Sequence, residues 1–253
     1  MNSTLLLVAH GSRDPRFADT ARRVRAAVAH RLAHVQVSLC YLDLNEPLVG
    51  DALRAVGGDT TVGGETTVGG DAVVVVPLLL APGFHSEVDL PAVIRAQART
   101  NVVCTEVLGS PQLTRALADR LGEAGLRPGD GIVLTAVGST DTRAATVVRR
   151  RALELSTLTH HPVEVVFATR LGTGDIQLRN AIRRLRTGGA KRIAVSPYFL
   201  AAGLLTERVE SALDRFESGA IVAGPIGAHP ALIDAVVRAY TTAAPSATGF
   251  AHR

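Results

Sequence analysis

Three side chains able to hold a divalent metal or move a proton each stand just past a short apolar run. His10 follows Leu5–Ala9, Glu46 lies in Asp43-Leu44-Asn45-Glu46-Pro47, and His85 closes Ala81-Pro82-Gly83-Phe84-His85. Two imidazoles and a carboxylate suit a first-row ion such as Fe, Co, Ni or Zn. Imidazole also titrates near neutral pH, so it can accept a proton released beside it. Taken singly, each residue has an ordinary explanation. A histidine after a strand is commonly a hydrogen-bonded turn residue, a glutamate before proline is commonly solvated, and Glu46 could also cap the helix that follows. Function is favoured by their joint position at strand ends, because open parallel sheets bind ligands outside the carboxyl ends of their strands.

The elements that would place them alternate in type. Leu5–Ala9, Val35–Leu44, Ala72–Leu80 and Val102–Leu108 read as strands. The continuous apolar character of Ala72–Leu80 fits a strand buried on both faces. Between them, Asp19–Arg31, Leu48–Val56, Leu90–Arg99 and Gln112–Ala124 carry apolar residues at helical spacing. Strands alternating with helices predict an α/β fold with a parallel sheet covered on both sides.

The same order then returns. Ile132-Val133-Leu134-Thr135-Ala136-Val137-Gly138-Ser139 repeats Leu5-Leu6-Leu7-Val8-Ala9-His10-Gly11-Ser12. Likewise Pro197-Tyr198-Phe199-Leu200-Ala201-Ala202-Gly203-Leu204-Leu205-Thr206-Glu207 repeats Pro77 through Glu87. Val137 stands against His10 and Leu205 against His85, so the second copy keeps the frame and lacks both imidazoles. Glu46 aligns with Asp175, so an acid persists in that copy. Two tandem lobes are expected, residues 1–126 with the histidines and 127–244 without them, followed by a disordered tail over 245–253. Gly57–Asp71, a tandem repeat of Gly, Thr and acidic residues, predicts a flexible surface loop.

The Gly11-Ser12 and Gly138-Ser139 turns precede helices. Either they offer backbone N–H groups to an anion, or Ser12 and Ser139 merely cap the turn. Arg13 could add a charged contact or pair with Asp14. Gly172-Thr173-Gly174 lacks the third glycine of a dinucleotide fingerprint, and no phosphate-binding GxxxxGK[ST] occurs. A phosphohistidine enzyme would need an arginine where Ala9 stands before His10.

Composition narrows the classes. Aromatic residues are 4% of the chain and tryptophan is absent, which argues against base stacking as the main activity. The net charge of +4 comes almost wholly from scattered arginines, suiting an anionic small molecule better than nucleic acid. Cys40 and Cys104 are the only cysteines, too few for a disulfide framework, so a reducing cytoplasmic location is expected. No apolar run approaches the ~18–20 residues of a membrane span.

The motifs His10-Gly11-Ser12-Arg13, Asn45-Glu46-Pro47 and Pro77–His85 with Asp89-Leu90-Pro91 resemble those of the sirohydrochlorin chelatases, ATP-independent class II tetrapyrrole chelatases, in their long two-lobe form. The resemblance implies two tandem homologous α/β lobes of Rossmann or flavodoxin-like type, and insertion of Fe2+ or Co2+ into a sirohydrochlorin-type tetrapyrrole for sirohaem or cobalamin synthesis. The metal would be a substrate and no cofactor would be permanently bound. His10 and His85 would bind the ion and take the pyrrole protons, with Glu46 completing the metal site. Ser12, Arg13, Gly83, Phe84 and Ser139 would contact the macrocycle, held in a cleft between the lobes. Neither a membrane nor nucleic acid would be a partner, and the chain would be a monomer or weak homo-oligomer. A non-catalytic metal or tetrapyrrole carrier would use the same ligands.

Overall fold

The structure is a computed structural model that describes residues 3–56, 60–62, 65–67, 72–97, 101–109 and 111–249. The first half runs β1 (Thr4–Ala9), α1 (Pro15–Arg31), β2 (Gln36–Tyr41), α2 (Val49–Val56), β3 (Thr60–Val62), β4 (Glu65–Thr67), β5 (Val73–Pro77), α3 (Leu90–Ala96) and β6 (Val102–Cys104). Its main sheet has the order β2-β1-β5-β6, with every pair parallel. All residues of β1 and β5 are buried, as their unbroken apolar character requires of central strands covered on both faces. Leu6, Val8, Val73 and Val75 pack with Val49, Leu53 and Leu90 from α2 and α3 into one core.

The second half runs α4 (Gln112–Glu123), β7 (Asp130–Ala136), α5 (Thr142–Thr159), β8 (Val163–Phe167), α6 (Ile176–Thr187), β9 (Arg192–Pro197), α7 (Leu204–Asp214), β10 (Ile221–Val222) and α8 (Pro230–Gly249). Its sheet, β10-β9-β7-β8, is also all parallel. Counted from the first strand of each half, both sheets have the order 2-1-3-4. The duplication read from the sequence is thus a duplication of topology. In this order the chain crosses from the central first strand to one side, then back past it to the other. The carboxyl ends of β1 and β5, and of β7 and β9, therefore flank a switch point where loops depart in opposite directions.

Three features of the structure stand beside the sequence expectations. First, packing divides the chain into compact units Met1–Leu108 with Ile233–Arg253, and Gly109–Leu232, a division different from the sequence repeats 1–126 and 127–244. The reason is where two helices lie: α4 packs on α5 and β9 of the second unit, while the body of α8 belongs with the first. Arg31 of α1 pairs with Asp234 of α8 at 3.0 Å, and the Ser3 and Tyr240 hydroxyls bond to each other. Second, the tail expected to be disordered from Pro245 is helical to Gly249, and residues 250–253 lie outside the described residues. Third, the 57–71 segment, expected to be a plain loop, carries the antiparallel ribbon β3–β4; its residues 57–59, 63–64 and 68–71 lie outside the described residues. Among the described residues no helix is long and apolar enough to cross a membrane.

Candidate functional site

His10 is the residue after β1, and His85 opens a π-helical turn, His85–Asp89, that precedes α3. Since β1 and β5 are neighbours, their loops meet at the switch point of the first sheet. The two imidazole rings lie 4.3 Å apart between centroids, crossed at 69°. Residues 75 positions apart in sequence are thus brought into contact, and both remain about half exposed.

The loop after β1 is tied to the loop after β2. The Asp43 N–H donates to the His10 carbonyl, and the Ser12 N–H donates to Asn45 Oδ1 at 2.7 Å. Gly11 has φ +104°, and a Cβ there would fall 1.9 Å from the Asp43 carbonyl oxygen, so only glycine lets the loops close. The result is that Asp43 Oδ1 stands 3.3 Å from His10 Nδ1. That nitrogen is buried, and the contact is an ion-pair approach without hydrogen-bond alignment. On the other side, His85 Nδ1 hydrogen-bonds Asp89 Oδ2 at 2.7 Å across one helical turn.

The third expected ligand does not join this pair. Glu46 is exposed in the β2–α2 loop, and among the described residues no group of three His, Cys, Asp or Glu side chains is arranged to hold a metal. The carboxylate that reaches His10 is Asp43, three residues earlier and two past the end of β2, whereas Glu46 lies further along the loop. Asp43 and Asp89 are the residues that sequence reasoning missed. Asp89 had a legible signal, its i,i+4 spacing from His85. Asp43 could be found only from the parallel register that sets Ala9 beside Tyr41.

The remaining candidates divide between turn formation and exposure. Ser12 Oγ accepts from the Asp14 N–H at 3.1 Å, and Ser139 Oγ accepts from the Asp141 N–H at 3.0 Å. Asp14 and Asp141 in turn cap α1 and α5. Both serines therefore cap in the same way. Asp14 pairs with Arg16 and not with Arg13, whose side chain is exposed. The Gly83 N–H donates to Ser86 Oγ, mirrored by Gly203 and Thr206. Phe84 is 65% exposed beside His85, an unusual state for a large aromatic ring, and the equivalent Leu204 is 74% exposed.

The strand register extends this equivalence to the chemistry. Ala136 pairs with Phe167 as Ala9 pairs with Tyr41, so Thr169 occupies the place of Asp43. Thr169 Oγ1 donates to the Val137 carbonyl at 2.7 Å. Counting from Leu205, Val209 occupies the place of Asp89, and it is buried in the second core. The second unit thus replaces both histidines and both of their aspartates.

A family model described as CbiX matches this chain twice, over residues 4–124 and again over 131–243. A sirohydrochlorin cobaltochelatase of Priestia megaterium is 27% identical over 245 residues, covering 90% of this chain and 76% of that protein. A sirohydrochlorin ferrochelatase of the same organism is 23% identical over 238 residues, covering 90% and 85%. Among solved structures, SirB from Bacillus subtilis with Fe3+ superposes with a TM-score of 0.76 over 98% of each chain at 21% identity, a likeness of fold. With both halves matched, the chain belongs to the CbiX family, the sirohydrochlorin chelatase family that its histidine motifs resemble.

Proposed function

We infer that this chain is an ATP-independent chelatase that inserts Fe2+ or Co2+ into sirohydrochlorin. The observation that carries the reading is the His10–His85 pair, held in contact at the switch point of one parallel sheet. The names of the relatives, one a cobaltochelatase and one a ferrochelatase, support the substrate and the choice of metals.

The chemistry follows from what metallation must do. A divalent ion replaces two pyrrole N–H protons, so two protons must leave as the ion enters the ring. A neutral imidazole can ligate the ion and release it, where a thiolate cage would retain it. The same imidazole accepts a proton once the ion has moved on. His10 and His85 supply two such groups, one for each proton, and Asp43 beside His10 offsets the positive charge that gathers there. Phe84 offers an apolar surface to the face of the macrocycle. The exposed Arg13 is a candidate partner for the substrate's carboxylates; Ser12 and Gly83 shape the rim of the first sheet through their turns, and Ser139 shapes that of the second. No resident cofactor is invoked, and the chain is read as a monomer or weak homo-oligomer in the cytoplasm.

The test is anaerobic mixing of sirohydrochlorin with Co2+ or Fe2+, followed optically. The protein should raise the metallation rate, His10→Ala and His85→Ala should each abolish most of the gain, and Asp43→Asn should cost more than Glu46→Gln. A rate unchanged by the protein would overturn the reading, and tight binding of metal or macrocycle without turnover would support a carrier instead.

A further inference from the structure

The two halves of this chain share a frame, and that makes the second half a control for the first. Features that only shape the rim persist in both: the capping serines 12 and 139, the helix-capping aspartates 14 and 141, and Gly83–Ser86 against Gly203–Thr206. Glu87 and Glu207 also match. Asp89 does not persist. Where His85 becomes Leu205, Asp89 becomes Val209, which is buried in the second core while Leu205 packs against it. The acid is absent where the imidazole is absent, which a purely architectural aspartate has no reason to follow.

Local geometry agrees. Asp89 does not cap α3 with its side chain. Its Oδ2 instead lies 2.7 Å from His85 Nδ1, a hydrogen-bond distance, across a π-helical turn in which the Leu90 N–H bonds back to the His85 carbonyl. The equivalent residues Leu205 and Val209 lie in regular α-helix. Single π-turns inside helices recur at functional sites.

We propose that Asp89 is the positioning residue for His85: its carboxylate takes the Nδ1–H, which fixes the ring's orientation and leaves Nε2 as the nitrogen with the free lone pair. An imidazole without such a partner divides between two tautomers, and the Nε2–H part of its population would present a proton where an ion must be ligated. Carboxylate partners of this kind raise the basicity of ligating histidines, and losing one costs on the order of 10–100-fold in metal affinity or activity. The inference rests on the chelatase reading for its consequence, though not for the tautomer itself.

The experiment uses the full chain with Asp89→Ala and Asp89→Glu. Long-range 15N–1H NMR of the metal-free protein reports the tautomer of His85, its signals identified by their loss in His85→Gln. The wild type should show a single Nδ1–H form, Asp89→Ala a mixture, and Asp89→Glu recovery towards one form. In the metallation assay Asp89→Ala should lower kcat about 10–100-fold while KM for the tetrapyrrole stays unchanged. A single Nδ1–H tautomer that survives in Asp89→Ala would overturn the proposal, as would equal kcat values for Asp89→Ala and wild type. If the wild type fails to metallate but the tautomer still depends on Asp89, the positioning role stands and the chelatase reading falls.

Discussion

At the scale of single residues, the site is an economy of two imidazoles whose Nδ1 atoms both face carboxylates, at 3.3 Å for His10 and 2.7 Å for His85. Removing one base from such a pair should lower the metallation rate about 10²–10⁴-fold, measured under anaerobic single-turnover conditions with His10→Ala. The thiols make a contrast. Burial pushes the Cys40 thiol up to about 12. The thiolate is the reactive form, so Cys40 should resist alkylation at pH 8 in the native protein and react once urea unfolds it, as mass spectrometry of labelled peptides would show. The two histidines were legible in the sequence as candidates because each lies beyond an apolar run that had to be a strand, His10 directly after β1 and His85 past the loop that follows β5. Their aspartates were not, since Asp43 gains its role only from the register between β1 and β2. Glu46 stands in the same loop as Asp43, and the loop geometry brings Asp43 to His10.

At the scale of elements, the central strands of both sheets are buried and should tolerate little. Leu134 in β7 is fully buried, so Leu134→Ala should cost about 2–5 kcal/mol, read from the urea midpoint. Asp130, at the start of the same strand, accepts from Arg192 Nε at 3.0 Å and from its Nη2 at 2.7 Å. The hydrogen bonds from Arg192 hold its carboxyl below the ordinary value of 3.8. The folded state therefore binds that proton less readily than the unfolded state. The pair's contribution is complete above about pH 4 to 5 and is lost as pH falls through the depressed value. Asp130→Asn should then be less stable than wild type at neutral pH, with the gap closing in acid, as thermal melts across pH 2–7 would record. The strands and most helices were legible from apolar runs and from 3.6-residue spacing. The partners of α4 and α8 were not, because an amphipathic stripe states that a helix must be covered and is silent about which sheet covers it. The π-helical turn after Phe84 has no sequence signature of that kind either.

At the scale of the whole molecule, the second unit keeps the topology and loses the chemistry, with Val137, Thr169, Leu205 and Val209 where the first has His10, Asp43, His85 and Asp89. Val137 is 47% exposed and accepts a larger side chain without touching the core. The variant Val137→His with Leu205→His should therefore gain a second Co2+ equivalent in an absorption titration. It should bind more weakly than the first, because neither new ring would have a carboxylate behind it. No gain in stoichiometry would mean that the two rims differ in more than their side chains.

The discontinuous make-up of the first unit has a further result, which concerns the order of synthesis. Its strands leave the ribosome before the second unit, yet Asp234 and Tyr240, which tie α8 to Arg31 and Ser3, leave after it. The half that carries the histidines is therefore begun before its neighbour and finished after it, with a complete second unit made in the interval. A chain stopped after Leu232 would hold every residue of the candidate site and still lack the helix that closes its fold. Premature termination there should weaken the first unit without deleting any candidate site residue.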